Sequence, residues 1–394
     1  MPQILRFITG AGGTGKSYLL KLIRDRIRLI LDVSQTRSAL ILAAPTGVAA
    51  RNINGTTLHR AFKLPVERGG IAKLRALEDE VLNTFRDHYK RVSWIIIDEI
   101  SMVSAETMLM IHNRILQLFP SDNERLHKPF GGLNVLLFGD LYQLKPVNGH
   151  WVFEQTAINN PYFWPYFQFV ELTTNVRQGK DHRMLELCNN IRVGAVTTAD
   201  IEVLKTRYID NFANNAYANS LRIVPTNALA NQYNAEKLEA FQVERARMLQ
   251  EMRISGQPVY TISAVDTHLD PRRMDEIVDP MYVPKDSNKC GGIPTKLGIA
   301  PGVRIMLRRN ISLANGLVNG AMGVITDITW PNFNKEQLIE GQLPEYVDVL
   351  FDDAGAHKIK PITIEFDGNK KVKIKRTMLP FILCWAVTAH KTQG

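Results

Sequence analysis

A short strand pattern at 5–9 and four nearly unbroken apolar runs at 39–43, 94–97, 135–138 and 169–172 punctuate the first part of the chain. Such runs suit strands of a parallel sheet that helices cover on both faces. After the strand pattern at 5–9, Leu19, Leu20, Ile23, Ile27, Ile30 and Leu31 recur at helical spacing, which predicts an amphipathic helix. Strand and helix alternate, so the pattern predicts a parallel sheet flanked by helices. Each run ends in a polar or glycine-bearing turn. Ligands of open parallel sheets sit beyond the carboxyl ends of the strands, and chemistry is expected in those turns.

Between 63 and 92 the rhythm is broken by a Pro-Gly segment and a helical face of Leu74, Leu77, Val81, Leu82 and Phe85, which reads as a small insertion. A second αβ rhythm begins near 178, with helices through Met184, Leu185 and Ile191 and through Ile201 and Leu204, and a strand at 221–224. From 258 the pattern shifts to short strands, among them 303–307, 323–328, 347–351 and 362–366. The fold class is α/β, with domains at 1–177, at 178–257 plus 377–394, and a β-rich insertion at 258–376. Within that insertion Lys371, Lys373 and Lys375 alternate with Val372 and Ile374. A strand there would carry three lysines on one face, either a basic ribbon for a phosphate backbone or a solvated edge guarded against pairing.

The length of 394 residues suits two or three domains. Apolar residues at 45% and charged residues at 22% are ordinary globular usage and exclude collagen, coiled coil and wholesale disorder. A net charge of +9 favours a polyanionic partner such as nucleic acid. Cys188, Cys290 and Cys384 lack CxxC spacing, which argues against a disulfide framework or a zinc site. No apolar run is long enough to span a bilayer, and no membrane partner is expected. A glycine-rich motif already at Gly10 leaves no room for a cleavable leader, so an intracellular location is expected.

That motif, at 10–17, fits GxxxxGK[ST] and lies between a strand pattern and a helix pattern, the context a phosphate-binding loop requires. Gly10, Gly12, Gly13, Thr14 and Gly15 let the backbone curl around phosphates, Lys16 reaches the β- and γ-phosphates, and the Ser17 hydroxyl suits Mg²⁺. Asp98 and Glu99 end the 94–97 strand, where two carboxylates have no purpose as core. Asp98 suits Mg²⁺, and Glu99 suits orienting and deprotonating an attacking water. Gln143, in the turn after 135–138, carries an amide able to sense a γ-phosphate. Nucleoside triphosphate hydrolysis, with ATP and Mg²⁺, is the expected chemistry.

The chain resembles the PIF family of superfamily-one DNA helicases, relatives of the RecD-like and Helitron helicases, across nearly its whole length. The resemblance is carried by 10–17, Ala-Pro-Thr-Gly-Val-Ala-Ala at 44–50, Gly-Thr-Thr-Leu-His at 55–59, 97–102, Phe-Gly-Gly at 130–132, 139–147, 171–178, Pro-Thr-Asn at 225–227, Leu-Val-Asn-Gly at 317–320 with Gly323, and His-Lys-Thr-Gln-Gly at 390–394. It implies two RecA-like domains, a small insertion in the first and a Src-homology-type β-barrel inserted in the second. The two domains would clamp ATP and step along single-stranded DNA, 5′ to 3′, as a monomer. Unwinding of tailed duplexes in replication, repair, recombination or telomere maintenance, in the nucleus or mitochondrion of a eukaryote, would follow.

The same resemblance makes Arg177 an arginine finger contributed by the second domain. It assigns DNA contacts to Pro45, Thr46, Gly47, Thr57, His59, Thr226, Asn227, Thr388, His390 and Lys391. Small hydroxyls and backbone amides suit phosphate contacts that ignore base sequence. Two departures stand out. Only Gln3 precedes the loop where the family carries an adenine-reading glutamine segment, and the family's final arginine motif would fall after residue 394. Both ends therefore look trimmed, and weak unwinding by the chain as given is expected. The alternative is a nucleotide- and DNA-binding helicase remnant or mobile-element fragment with little turnover. A P-loop kinase or GTPase would have no use for the second αβ region.

Overall fold

The computed structural model describes residues 2–31, 39–65, 74–119, 123–147, 149–155, 161–177, 181–208, 220–254, 258–270, 273, 276–285, 287–312, 314–331 and 342–389. The chain divides into two units, residues 1–211 and 212–393.

In the first unit β1 (Leu5–Thr9), β2 (Leu40–Ala44), β3 (Thr56–Thr57), β4 (Trp94–Ile97), β5 (Asn134–Gly139) and β6 (Gln168–Glu171) form one parallel sheet in the order β3-β2-β4-β5-β1-β6. Successive side chains of a strand point to opposite faces, so both faces need a cover. Phe7, Ile95, Ile97, Val135 and Leu137 enter one core. Ile8, Ile96, Leu136 and Phe138 enter the other, against Leu20 and Ile27 of α1 (Lys16–Leu31). The unbroken apolar runs of β2, β4 and β5 are the consequence of this double burial, whereas β6, expected to be buried on both faces, is an edge strand whose residues are mostly exposed.

Among the described residues, the remaining α-helices of this unit are α2 (Gly47–Asn52), α3 (Leu58–Ala61), α4 (Asp79–Tyr89), α5 (Ala105–Leu116), α6 (Asn123–Leu126), α7 (His182–Val193) and α8 (Thr198–Lys205). Leu74 and Leu77 precede α4 rather than belonging to it, yet both pack on the first core. In the expected insertion, α4 buries Phe85 and Tyr89 in that core, and the Tyr89 hydroxyl donates to the Ala61 carbonyl. The buried Arg114 of α5 donates to the carbonyls of Phe62, Lys63 and Arg75 at 3.1 Å each, and to the Gln117 side chain at 2.6 Å. This stretch is therefore knitted into the main core. Helices α7 and α8, expected beyond 177, are counted with the first unit.

In the second unit β7 (Arg222–Val224) pairs in parallel with β18 (Ala386–Thr388), and α9 (Asn227–Glu251) packs on both. The buried Asn234 of α9 donates to the carbonyls of Leu383 and Ala386 and accepts from the amides of Trp385 and Ala386. Between these elements lie, among the described residues, three antiparallel sheets. One pairs β8 (Tyr260–Ser263) with β10 (Lys296–Ile299). A second runs β14-β13-β12-β11-β17, from β11 (Arg304–Leu307), β12 (Met322–Thr329), β13 (Tyr346–Phe351), β14 (Gly355–Ile359) and β17 (Phe381–Leu383). The third runs β15-β16-β9, from β9 (Val265–His268), β15 (Ile362–Asp367) and β16 (Lys373–Met378). The architecture is a RecA-like parallel-sheet fold with a β-rich insertion.

Strand β16 is central in its sheet, so the edge-strand reading of the lysines does not hold. In register, Lys373 stands opposite Asp367 and Lys375 opposite Glu365. Carboxylates directly across the sheet balance the lysines, and the strand presents no bare basic ribbon. The backbone of 369–371 is a short 3₁₀ turn outside the strand.

Candidate nucleotide site and strand-contact segments

The glycine-rich loop lies between the carboxyl end of β1 and α1, whose first residue is Lys16. Lys16 Nζ donates to the carbonyls of Gly10 at 2.7 Å and Ala11 at 3.1 Å. Burial lowers its ammonium below the ordinary lysine range, while Asp140, Glu99 and Asp98 pull the other way. Gly13 has φ +88°, and a Cβ there would stand 2.7 Å from Arg177 Cβ and 2.9 Å from Asn175 Oδ1. Glycine is required because another segment presses on the loop.

That segment follows β6. The amides of Val176 and Arg177 donate to the Gly13 carbonyl at 2.8 and 3.3 Å, and Asn175 Nδ2 donates to the Gly12 carbonyl at 2.7 Å. Arg177, expected from the second domain, belongs to the first unit, with its backbone fastened to the phosphate loop and its side chain exposed.

Strand β4 delivers Asp98 and Glu99 to the same edge. Glu99 has φ 53°, a left-handed backbone, and its amide donates to Asp98 Oδ1 at 3.0 Å. Asp98 is 6% exposed. Burial first, and the neighbouring Glu99 second, push its carboxyl up to about 6. A non-glycine residue held in such a backbone region costs about 1–3 kcal/mol and is found where function demands it. Beside them, β5 ends at Gly139, where a Cβ would lie 2.8 Å from the Ile100 amide. The tight approach holds the two strand ends together.

The next residue, Asp140, is 1% exposed. It accepts from Arg192 of α7, Nη2 to Oδ1 at 2.8 Å and Nε to Oδ2 at 3.1 Å, and from the Tyr142 amide at 3.1 Å. The guanidinium also lies 4.4 Å from the Tyr142 ring centroid. Gln143 is held in the same turn, its amide bonded to the Asp140 carbonyl at 2.9 Å and its side chain 3.5 Å from Asp140 Oδ2. Sequence reasoning assigned no role to Asp140, Arg192 or Asn175. Asp140 was visible as a lone acid after an apolar strand, but nothing in spacing links it to an arginine 52 positions away.

Gln3 does not stand in for an adenine reader: its amide nitrogen donates to the carbonyls of Pro129 and Leu133, both at 2.7 Å. The 130–132 turn that it braces includes Phe130 at φ 51°.

The segments expected to touch DNA fall into two groups. In the first unit Pro45, Thr46 and Gly47 follow β2, while Thr57 ends β3 and His59 is exposed on α3. Gly47 is buried. In the second unit Thr226 and Asn227 follow β7, whose parallel partner β18 ends at the buried Thr388, so these three share one sheet edge. Thr46, Thr57 and Thr226 each cap a helix, accepting from Ala49, Arg60 and Leu229 amides at 3.1, 3.4 and 3.3 Å. A hydroxyl that accepts at its lone pair keeps its own proton to donate. His390 and Lys391 lie outside the described residues.

A phosphate loop at the end of β1, carboxylates at the end of β4 and a parallel sheet of this order define a RecA-like P-loop protein. A family model described as PIF1-like helicase matches residues 3–199, half of the chain, and another described as DNA helicase Pif1, 2B domain, matches residues 285–328. The chain belongs to the PIF1-like helicase family. It is 28% identical over 388 residues to the ATP-dependent DNA helicase PIF1 of Xenopus laevis, covering 98% of this chain and 53% of that protein. It is 26% identical over 392 residues to ATP-dependent DNA helicase Pif1 of Bdellovibrio bacteriovorus, covering 98% and 75%. A solved structure of two coordinating Pif1 helicases unwinding forked double-stranded DNA superimposes with TM-score 0.66 at 26% identity, covering 99% of this chain and 79% of that one. The chain spans about half the length of its vertebrate relatives.

Proposed function

We propose that the chain is the motor of an ATP-dependent DNA helicase that moves along single-stranded DNA, 5′ to 3′, and couples ATP hydrolysis to unwinding of tailed duplexes. The observation that carries this reading is the convergence, at the carboxyl edge of one parallel sheet, of Lys16, the Asp98–Glu99 pair, the Asp140–Gln143 turn and the 175–177 segment clamped on the loop. Relatives named ATP-dependent DNA helicases support the activity.

Loop amides at Gly12, Gly13, Thr14, Gly15 and Lys16, together with the Lys16 ammonium, hold the triphosphate once the ammonium leaves the Gly10 and Ala11 carbonyls. Ser17 and Asp98 would hold Mg²⁺. The site fits that ion, since a buried carboxyl whose ionisation burial opposes gains from a cation beside it. When bound, Mg²⁺ neutralises charge on phosphate oxygens. Glu99 orients the attacking water and takes its proton. Gln143 registers the γ-phosphate, and Arg177 neutralises charge on the transferring phosphoryl group. Thr46, Thr57 and Thr226 donate their hydroxyl protons to strand phosphates, with Pro45, Gly47, Asn227, Thr388, His390 and Lys391 beside them and His59 stacking on a base. The motor works as a monomer inside the cell, in replication, repair, recombination or telomere maintenance.

The test is unwinding of duplexes bearing a 5′ or a 3′ tail, alongside ATP hydrolysis with and without oligothymidylate. Hydrolysis stimulated at least tenfold by the strand, with unwinding only of the 5′-tailed duplex, supports the reading. Hydrolysis indifferent to DNA overturns it, and ATP binding without turnover in any condition assigns a remnant.

A further inference from the structure

Within the second unit a cavity of about 410 Å³ opens between α9 and the strands β10 and β17. Its volume falls in the range of small-molecule sites, about 300–1,000 Å³. Two cations, Arg308 and Lys296, line it, and among the described residues no carboxylate does. Arg308 is fixed over a glycine turn. A Cβ at Gly292, φ +76°, would lie 2.7 Å from Arg308 Nη2, and a Cβ at Gly291, φ +68°, would lie 2.3 Å from Nη2 of the adjacent Arg309. The paired glycines therefore let two guanidiniums rest side by side on the backbone.

Side-by-side cations repel, and a partly buried guanidinium is ordinarily paired with an anion. Arg308 is not: its one side-chain hydrogen bond is Nε to the Gly292 carbonyl at 3.3 Å, and among the described residues it makes no ion pair with a carboxylate. Burial and the Arg309 charge both lower its pKa, and no acid among the described residues acts against them. The rest of the described lining is apolar, including Leu238, Val259 and Leu297, or carries amides and hydroxyls, including Asn231, Gln242 and Thr261. At one end stands Asn227, next to Thr226.

We infer that this cavity holds one nucleotide of a bound single strand, its phosphate on Arg308 and its base against Leu238 and Leu297, continuing the strand path from Thr226 and Asn227. Charge complementarity and continuity with that segment select the occupant, and the inference rests on the proposed DNA-binding function. The contact is sequence-indifferent, since phosphate and apolar base contacts carry no edge code.

The experiment is fluorescence anisotropy of labelled oligothymidylate with the full chain across a range of salt concentrations, for the parent, Arg308→Met, and Asn231→Phe, which fills the cavity from an exposed position on α9. Arg308→Met is expected to weaken binding about tenfold and to flatten the log–log salt slope by about 0.7, the share of one single-strand phosphate. Asn231→Phe is expected to weaken binding severalfold with the slope kept. Hydrolysis of ATP without DNA stays at the parent rate in both. Parent-like affinity and slope in both variants overturn the inference while leaving the helicase reading intact. No salt-dependent binding by the parent itself overturns that reading and the inference with it. Calorimetry with thymidine monophosphate forms the second arm. Binding of the free nucleotide that is lost in Arg308→Met, with oligothymidylate unaffected, would assign the cavity to a free nucleotide and overturn the strand contact.

Discussion

The carboxyl edge of the six-stranded sheet and the interior of the sheet β15-β16-β9 both bury charge, but they finish it differently. In the β-rich region Arg376, fully buried, meets Asp266 through two bonds at 2.7 and 2.6 Å, gives a third to the Ile293 carbonyl at 2.8 Å, and reaches Thr295 at 3.3 Å. Each of the three nitrogens of the fork has a partner. At the sheet edge Lys16 borrows loop carbonyls, and Asp98 is forced toward its neutral form. Completed charge specifies structure, whereas incomplete charge waits for a ligand.

The contrast can be broken in both places, and the largest effect belongs to the incomplete site. Lys16→Ala is expected to lower ATP hydrolysis at least about 10³-fold, by the precedent of a removed phosphate-facing charge, with the urea midpoint almost unmoved. A coupled enzyme assay beside equilibrium unfolding checks both halves. Next comes Asp266→Ala, which leaves the Arg376 charge buried without its partner and is expected to cost about 3–5 kcal/mol of stability. Nucleotide affinity, measured by titration of a fluorescent ATP analogue, should remain that of the parent.

Asp98→Asn sharpens the comparison because its sign is reversed. With a native carboxyl pushed up to about 6 from an ordinary 3.8, ionisation costs stability above about pH 6, progressively less between 6 and 4, and nothing below. The amide should therefore stabilise the nucleotide-free chain by about 1–3 kcal/mol at pH 8. That gain should vanish by about pH 4, and Mg²⁺-dependent nucleotide binding should be lost. Urea melts at the two pH values decide it. The smallest effect is Thr46→Ala, expected to cost about 1 kcal/mol as a lost cap and to weaken oligothymidylate binding a few-fold, with Thr46→Ser restoring both.

How much was legible follows the same physics. The inner strands β2, β4 and β5 announce themselves because double burial leaves almost no polar position, and the glycine loop because phosphate contact restricts the residue types. The 25-residue α9 was not anticipated: it buries only Ala230 and Asn234 fully, so no apolar stripe marks it. Its signal was a threonine cap followed by a run without glycine or proline. Short antiparallel strands of the second unit alternate too briefly to fix their pairing, which is why β16 could be read as an edge. Arg192 on Asp140 and Asn175 on Gly12 are long-range contacts that no local pattern encodes.

The most direct test of the central claim is turnover by Glu99→Gln, with and without oligothymidylate, beside its affinity for Mg-ATP. The account expects the variant to bind ATP as tightly as the parent while hydrolysis falls by about 10² or more in both conditions, since an amide can orient water but not take its proton. Hydrolysis at the parent rate, still stimulated by the strand, would contradict the assignment of the sheet edge as the site of chemistry.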